Sequence, residues 1–178
     1  MPRLFACLLG IAAVAPLCAQ RERLPAEDLA IVEQRWPTAK KTSTGLRYII
    51  TKEGTGECAA PGDLVSVCFR GCLLNGKVFD EMPRPGRSEP FTFRLGREQV
   101  IEGWDQGLQL LRLGGKMTLI VPYELGYGTR GNLPTIPGRA TLVFEIELVK
   151  IEAAKPLPSQ LPPVPDPRAK KKPSAGKK

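Results

Sequence analysis

The stretch VIEGWDQGLQLLRLGG, residues 100–115, is the one place in the central part of this chain where apolar side chains follow a helical period. Positions i, i+3, i+7 and i+10 share one face of a helix, and here they are Ile101, Trp104, Leu108 and Leu111. Gly114 and Gly115 are expected to stop this helix in a left-handed conformation. The flanking segments alternate like β-strands, so the sheet must curl over this helix. Trp104 then faces the concave side of the sheet, either as an ordinary core residue or as the floor of a pocket.

Strand-like segments lie on both sides of this helix. Residues 64–74 (LVSVCFRGCLL) alternate apolar and polar side chains, and Asn75-Gly76 is a strong hairpin signal after them. Further strands are predicted at GLRYIITK, KVFD, FTFRL, KMTLIVP and RATLVFEIELVKI. In the last strand the side chains expected to face inward are Leu142, Phe144, Ile146 and Leu148. A mostly antiparallel sheet with one helix is an α+β fold.

The N-terminal residues predict export. Residues 1–19 combine one arginine, an apolar run and a small-residue end, which is typical of a signal peptide cut after Ala19. An N-terminal membrane anchor and a lipid-modified Cys18 are the alternatives. We expect no integral membrane segment after cleavage, and a periplasmic, extracellular or envelope-associated location.

Residues 20–44 form an N-terminal extension with one short predicted helix. Its Leu29, Val32 and Trp36 share one face, and Pro37 ends it. Residues 153–178 form a Pro- and Lys-rich tail with the composition of a disordered or polyproline II segment.

The charge and composition exclude several classes of function. The net charge is +8, but most of it lies in the tail. The near-neutral middle of the chain argues against a nucleic-acid-binding fold, and the tail is either a solvated segment or a weak ligand of anionic surfaces. Histidine is absent, which removes the commonest general base and metal ligand.

Three cysteines remain after signal cleavage: Cys58, Cys68 and Cys72. An odd number allows at most one disulfide, and three thiols without histidine are an incomplete zinc site. The simplest interpretation is that they are small apolar fillers. We predict no metal and no cofactor.

Residues 123–139 form a loop that is longer than the ~12–15 residues usual for a structureless connection. Its apolar Tyr127, Leu133 and Ile136 predict a flap rather than a linker. The periodicity gathers aromatic and apolar residues near Trp104: Phe69, Phe79, Phe91 or Phe93, Val100, Ile101, Tyr127 and Phe144. Asp80 directly follows Phe79. This pattern alone fits either a plain aromatic core or a pocket.

Six motifs occur in order: DLVSVCFRG, NGKVFDE, PFTFRLG, VIEGWDQGL, PYELGYG and IPGRATLVFEIELVKI. Together they resemble the FKBP-type peptidyl-prolyl cis-trans isomerases, in particular the secreted bacterial branch. The resemblance covers residues 45–152. It implies an antiparallel five- to six-stranded half-barrel sheet wrapped around one short helix.

The resemblance also implies a pocket for a proline ring and an isomerase that assists the folding of exported proteins. Trp104 would form the floor, Tyr127 and the Ile101 N–H would hold ligand carbonyls, and Asp80 would lie at the polar edge. The expected substrate-binding residues are Phe69, Phe79, Phe91, Val100, Ile136 and Phe144. The expected partners are proline-containing polypeptides and macrolide-type inhibitors, not nucleic acid, and we expect a monomer.

The chain departs from the family pattern at three points. Phe69 stands where the family usually has Tyr, whose hydroxyl would bond the carboxylate matching Asp80; that carboxylate then needs another partner, such as an arginine. The loop EMPRPGRSEP is about two residues longer than in compact members, and Asn132 replaces a His at the flap tip. The missing Tyr and the longer loop motivate an alternative, a binding or chaperone module with weak or no catalysis. A structural protein tethered to the envelope through its tail is a third hypothesis.

Overall fold

A computed structural model describes residues 22–154. The predicted signal peptide with Cys18, and the tail from residue 155 onward, lie outside the described residues. Within them the chain forms two helices and seven strands. In chain order these are α1 (Ala26–Arg35), β1 (Lys40–Lys41), β2 (Arg47–Lys52), β3 (Leu64–Leu73), β4 (Val78–Met82), β5 (Phe91–Arg94), α2 (Glu102–Gly107, followed by a 3₁₀ turn, Leu108–Leu110), β6 (Lys116–Val121) and β7 (Leu142–Glu152).

The strands form one open antiparallel sheet in the order β1-β2-β6-β7-β3-β4. β5 pairs with the first half of β3, and β4 pairs with its second half. The α+β half-barrel is confirmed, but with seven strands where five to six were expected. The additional strand, β1, has two residues and lies in the N-terminal extension, too short for its alternation to be recognised in the sequence.

The concave face of the sheet holds the main core, into which α2 packs. The inward residues predicted for β7 are all buried there. Two helix glycines let α2 approach the sheet closely: a Cβ on Gly103 would lie 2.6 Å from Val121 Cγ1, and one on Gly107 would lie 2.7 Å from Leu119 Cδ1. The helix therefore lies directly on β6.

The predicted helix stop is wrong in position. Helical structure ends at Leu110, and Leu111 is already extended, with φ −108° and ψ 135°. Gly114 has a φ of +81°, but it serves the turn that leads into β6 instead of capping the helix. The apolar stripe continues through Leu111 only because an extended residue there also points into the core.

Helix α1 packs on the opposite, convex face of the sheet. Its Val32 is buried against Ile120 and Val143, and the flanking Leu29 and Trp36 pack on the same cluster, as the sequence predicts for this stripe. Polar contacts join both ends of the helix to the domain. Thr141 Oγ1 donates to Asp28 Oδ2 at 2.6 Å, and Arg35 donates to the Leu74 carbonyl.

A small ionic cluster fixes the start of the described chain. Glu22 Oε2 lies 2.8 Å from both Lys41 Nζ and Arg47 Nη2. Burial alone would raise the pKa of Glu22, but hydrogen bonds from Lys41, the Leu24 N–H and Arg47 outweigh it and lower this pKa from 4.5 to about 2. The extension is thus held to β1 and β2 by charge as well as by apolar packing.

The three cysteines of the described residues are free thiols. Cys58 is exposed, whereas Cys68 and Cys72 are half-buried on the outer face of β3. Burial raises the pKa of both strand thiols, which makes them poor nucleophiles. None of the helices between residues 22 and 154 has the length and apolarity needed to span a membrane.

Candidate functional site

A cavity of about 300 Å³ opens on the concave side of the sheet, beside the N-terminus of α2. Its lining comes from β3, β4, β5, β7, α2 and the flap, together with the loop after β4. The lining residues are Phe69, Phe79, Asp80, Met82, Arg84, Arg87, Phe91, Gln99, Val100, Ile101, Trp104, Tyr127 and Phe144. We call this cavity the aromatic pocket. It brings together nine of the ten site residues predicted from the sequence.

Trp104 is buried at the base of this pocket, with 4% of its surface exposed. Phe69 and Phe144 meet it edge to face, with ring centroids 4.9 and 5.2 Å away and interplanar angles of 80° and 83°. Edge-to-face contacts are a preferred arrangement of aromatic rings. They hold the indole in one orientation, so the floor of the pocket is rigid.

Of the two phenylalanines on β5, only one lines the pocket. Phe91 is half-buried at its wall, whereas Phe93 is buried in the core, with its ring centroid 5.9 Å from that of Trp104. Both side chains point to the same face of β5, and the strand carries Phe93 past the indole, away from the opening and into the core.

Gly71 makes room for two of the pocket rings, and its role was not foreseen from the sequence. The register of β3 places it opposite Asp80 on β4 and Phe144 on β7. A Cβ at this position would lie 2.8 Å from the nearest ring atoms of both Phe79 and Phe144. The missing side chain lets these rings pack edge to face, with centroids 5.6 Å apart.

Val100 and Ile101 reach the pocket because they immediately precede α2. Ile101 is the N-cap residue with extended backbone, φ −62° and ψ 148°, and its carbonyl accepts the Trp104 N–H at 2.9 Å. Its own N–H donates no hydrogen bond within residues 22–154. This amide is therefore available to a carbonyl of a bound peptide.

Tyr127 lines the pocket from the flap and is 37% exposed. Its hydroxyl makes no hydrogen bond within the described part of the chain. Burial, and secondarily the nearby Asp80 carboxylate, raise the pKa of Tyr127 above its ordinary value of 10. The phenol therefore stays protonated at neutral pH and can donate a hydrogen bond.

The Asp80 carboxylate takes an arginine as its partner, as the absence of a tyrosine at Phe69 led us to expect. Asp80 Oδ1 accepts hydrogen bonds from Arg84 Nη1 at 3.2 Å and from the Glu81 N–H at 2.9 Å. Arg84 lies in the loop that follows β4. A tight turn in this loop joins Arg84 to Arg87 by two backbone hydrogen bonds, with Gly86 at φ +82°.

Ile136 is the one predicted pocket residue that does not line the cavity. Its side chain is 2% exposed and belongs to the main core. The reason lies in the flap, where two backbone hydrogen bonds of 2.9 and 3.0 Å pair Ile136 with Asn132. This pairing turns the flap tip back on the domain and directs Ile136 inward.

Four lining residues were missed in the sequence: Met82, Arg84, Arg87 and Gln99. Three of them lie at the end of β4 or in the loop that follows, so the expectation that this loop could reshape the rim of the pocket was the available signal. Gln99 carries no such signal. Its side-chain oxygen accepts the Arg94 N–H at 2.9 Å, a contact between loop and strand that periodicity does not encode.

Comparison with known proteins places this geometry in a family. Residues 56–149 match the model of the FKBP-type peptidyl-prolyl cis-trans isomerase domain. FK506-binding protein 2 of Candida glabrata is 49% identical over 64% of this chain and 85% of its own length. FkpA of Escherichia coli is 44% identical over 65% of this chain and 41% of its own length.

Solved structures agree with the sequence matches. The crystal structure of FkpA from Escherichia coli has a TM-score of 0.62 at 38% identity and covers 72% of this chain and 60% of that one. AtFKBP13 has a TM-score of 0.60 at 37% identity and covers 63% of this chain and 97% of that one. In the sequence comparison the chain spans 33 to 44% of the length of several relatives, full-length FkpA among them, and 85% of FK506-binding protein 2.

The order of the strands around α2, the aromatic pocket and these matches lead to one conclusion: this chain belongs to the family of FKBP-type peptidyl-prolyl cis-trans isomerases.

Proposed function

We propose that this protein catalyses the cis–trans isomerisation of X-Pro bonds in exported polypeptides. The observation that carries the proposal is the aromatic pocket, which combines the fixed Trp104 floor with two unused hydrogen-bond donors, the Ile101 N–H and the Tyr127 hydroxyl. Export is supported by the sequence of residues 1–19, which has the charge and apolar pattern of a signal peptide.

The reaction suits a site without a nucleophile. Rotation about the peptide bond must overcome a barrier of ~18–20 kcal/mol, because resonance keeps the amide planar. Twisting the bond weakens this resonance and leaves a less polar amide. No covalent bond is broken, so the site needs only to bind the twisted form better than the planar one.

The pocket favours the twisted amide in two ways. Its phenylalanine and tryptophan rings exclude water, which would otherwise stabilise the more polar planar form. The Ile101 N–H and the Tyr127 hydroxyl hold carbonyls of the bound peptide, so that the rotation occurs about one fixed bond. We assign Asp80 to the polar edge, where its carboxylate, oriented by Arg84, faces the rotating amide.

A peptide isomerisation assay tests this proposal. We expect the mature protein to accelerate cis–trans exchange of an X-Pro tetrapeptide, and Trp104→Leu, Tyr127→Phe and Asp80→Ala each to lower kcat/KM about tenfold, which corresponds to ~1.4 kcal/mol. Leu133→Ala is the matched control, because Leu133 lies on the same flap but is 72% exposed. Exchange by the wild-type protein at the uncatalysed rate would refute the proposal.

One observation favours a second candidate, a binding or chaperone module. Phe69 supplies no hydroxyl to the polar edge, so Asp80 depends on an arginine that is about half exposed. If a proline peptide binds the wild-type protein, and Trp104→Leu abolishes this binding, but no exchange is accelerated, the second candidate replaces the first.

A further inference from the structure

The C-terminal end of the described chain lies in a groove that adjoins the aromatic pocket. After β7 ends at Glu152, the Ala154 N–H donates to Asp63 Oδ1 at 2.9 Å, and the other Asp63 oxygen accepts the Ala60 N–H at 2.9 Å. Asp63 is itself buried. The point at which the chain leaves the domain is therefore fixed.

We call this groove the exit groove. It is lined by Gly62, Leu64, Arg94, Arg97, Gln99, Glu152, Ala153 and Ala154. Gln99 also lines the aromatic pocket. One glutamine side chain thus borders both depressions, and the chain that continues from Ala154 starts beside the rim of the site.

The sequence that follows Ala154 is rich in proline, the residue that we propose the aromatic pocket binds. Residues 155–167, KPLPSQLPPVPDP, contain six prolines, and three of them follow leucine or valine. Only Lys155 and Asp166 are charged in this stretch. The basic residues are concentrated later, from Arg168 onward, so the part of the tail that directly follows Ala154 in the sequence is the apolar part.

The reach of these residues is sufficient. A proline-rich chain extends by ~3.1 Å per residue, so residues 155–167 span up to about 40 Å. The diameter of a small domain is ~30 Å. Along β7, Glu152 at the groove lies eight residues from Phe144 in the pocket, or about 26 Å at ~3.3 Å per residue, which is within this reach.

Resting on the proposed isomerase function, we propose that residues 155–167 enter the aromatic pocket of the same molecule as a tethered ligand that competes with client polypeptides. An apolar X-Pro segment fits the aromatic lining. Arg87 at the rim, which has no acidic partner among the described residues, repels the basic residues beyond position 167. The tail then limits access to clients that bind more tightly than the tail does.

Mass action sets the size of the effect. A short flexible tether gives an effective concentration of about 1 mM. A single X-Pro segment that binds with a Kd near this value occupies the pocket for about half of the time. Competition of this kind raises KM about twofold and leaves kcat unchanged.

The test compares full-length mature chains that differ only in the tail. In one variant the six prolines of residues 155–167 are replaced by alanine. In the matched control, Lys170→Gln, Lys171→Gln and Lys172→Gln remove tail charge and keep these prolines. We expect the proline-free variant to show a twofold or greater rise in kcat/KM for an X-Pro tetrapeptide, through KM alone, and the control to match the wild type within error.

The two proposals fail in different ways. If all three proteins leave the tetrapeptide at its uncatalysed rate, the isomerase function itself is wrong. If all three are equally active, the tail does not compete and the inference is overturned. A gain that grows with protein concentration would also overturn it, because the tail would then act on a second molecule.

Nuclear magnetic resonance provides an independent measurement. The indole N–H of Trp104 is expected to shift between the wild type and the proline-free variant, whereas that of Trp36, which packs against the convex face of the sheet, is expected to stay in place. Identical Trp104 signals in the two proteins would refute the tethered ligand.

Discussion

Asp80, on strand β4, and Arg84, in the loop that follows it, are joined by a hydrogen bond of 3.2 Å between Oδ1 and Nη1. Where the family pattern has a tyrosine hydroxyl, this chain has Phe69 and supplies the guanidinium in its place. We expect the Arg84 guanidinium and a tyrosine hydroxyl at position 69 to be equivalent partners of Asp80. Arg84→Gln should then lower kcat/KM severalfold, and Phe69→Tyr alone should change it little. In the double variant, Phe69→Tyr should restore kcat/KM. The measurement is peptide isomerisation by the four proteins. Purely additive effects would contradict the equivalence.

Gly71→Ala should disturb the pocket by displacing two of the rings that line it. The new Cβ would lie 2.8 Å from Phe79 and Phe144, so one ring must move. Overpacking of this kind costs about 1–3 kcal/mol. We expect a lower melting temperature and a raised KM. Gly76→Ala is a useful comparison, because open space surrounds Gly76 and any loss there comes only from its positive φ of +86°. A raised KM in both variants would indicate that the pocket rings are not the cause.

Gly103→Val should displace the first turn of α2. A Cβ on Gly103 would lie 2.6 Å from Val121 Cγ1, so the helix start, which carries Ile101 and Trp104, must move away from the sheet. We expect at least a tenfold loss of kcat/KM and a lower melting temperature. Gln109→Ala, at the exposed side of the following turn, should change neither. Full activity in Gly103→Val would show that the site does not depend on this close approach.

Because Tyr127 stays protonated, we expect the isomerase activity to stay constant as the pH is raised through the alkaline range. Its raised pKa means that the phenolate is disfavoured in the folded protein, first by burial and then by Asp80. The hydroxyl therefore remains a donor up to and beyond pH 10. Absorbance at 295 nm should show Tyr127 ionising later than in Asp80→Asn, where the contribution of the carboxylate is removed. If Tyr127 ionises at lower pH in the wild type than in Asp80→Asn, the Asp80 carboxylate does not raise the pKa of Tyr127.

Glu22 should make stability depend on pH in the acid range. Because its folded pKa is about 2 against 4.5 ordinarily, the carboxylate stabilises the fold above pH 4.5, and this stabilisation is lost between about pH 4.5 and pH 2. We expect Glu22→Gln to cost about 1–2 kcal/mol at pH 7, less than the full shift implies because the side chain is 30% exposed. The two denaturation curves should converge near pH 2.

Glu33→Gln is the control for this prediction, since Glu33 is 62% exposed and lies 4.0 Å from Arg47. Exposed pairs of this kind contribute little. A loss of stability equal to that of Glu22→Gln would indicate a general charge effect and not the specific cluster.

The periodicity of apolar residues in the sequence predicted the regular elements, namely the strands and the central helix. The alternation of β7 placed Leu142 and Phe144 on the inner face, and the helical stripe placed Trp104 under the sheet. Periodicity does not show which side chains contact each other between a loop and a neighbouring strand. Arg84 contacts Asp80 from the loop after β4, where Arg84 also begins a tight turn that closes on Arg87 and holds Gly86 at positive φ.

Irregular backbone accounts for the other differences. Ile136 was predicted at the pocket wall, but its backbone pairing with Asn132 turns it into the core. The role of Gly71 was not predicted from the sequence. A glycine that makes room for other side chains is recognised only when those neighbours, here Phe79 and Phe144, are known.

Helix α1 covers Ile120 and Val143 on the outer face of β6 and β7. A shortened protein that starts at residue 45 would keep every residue of the aromatic pocket but would leave this apolar face in water. Contiguous apolar patches on a surface promote association. Such a fragment is therefore expected to aggregate, and a soluble form of this domain has to begin near Glu22.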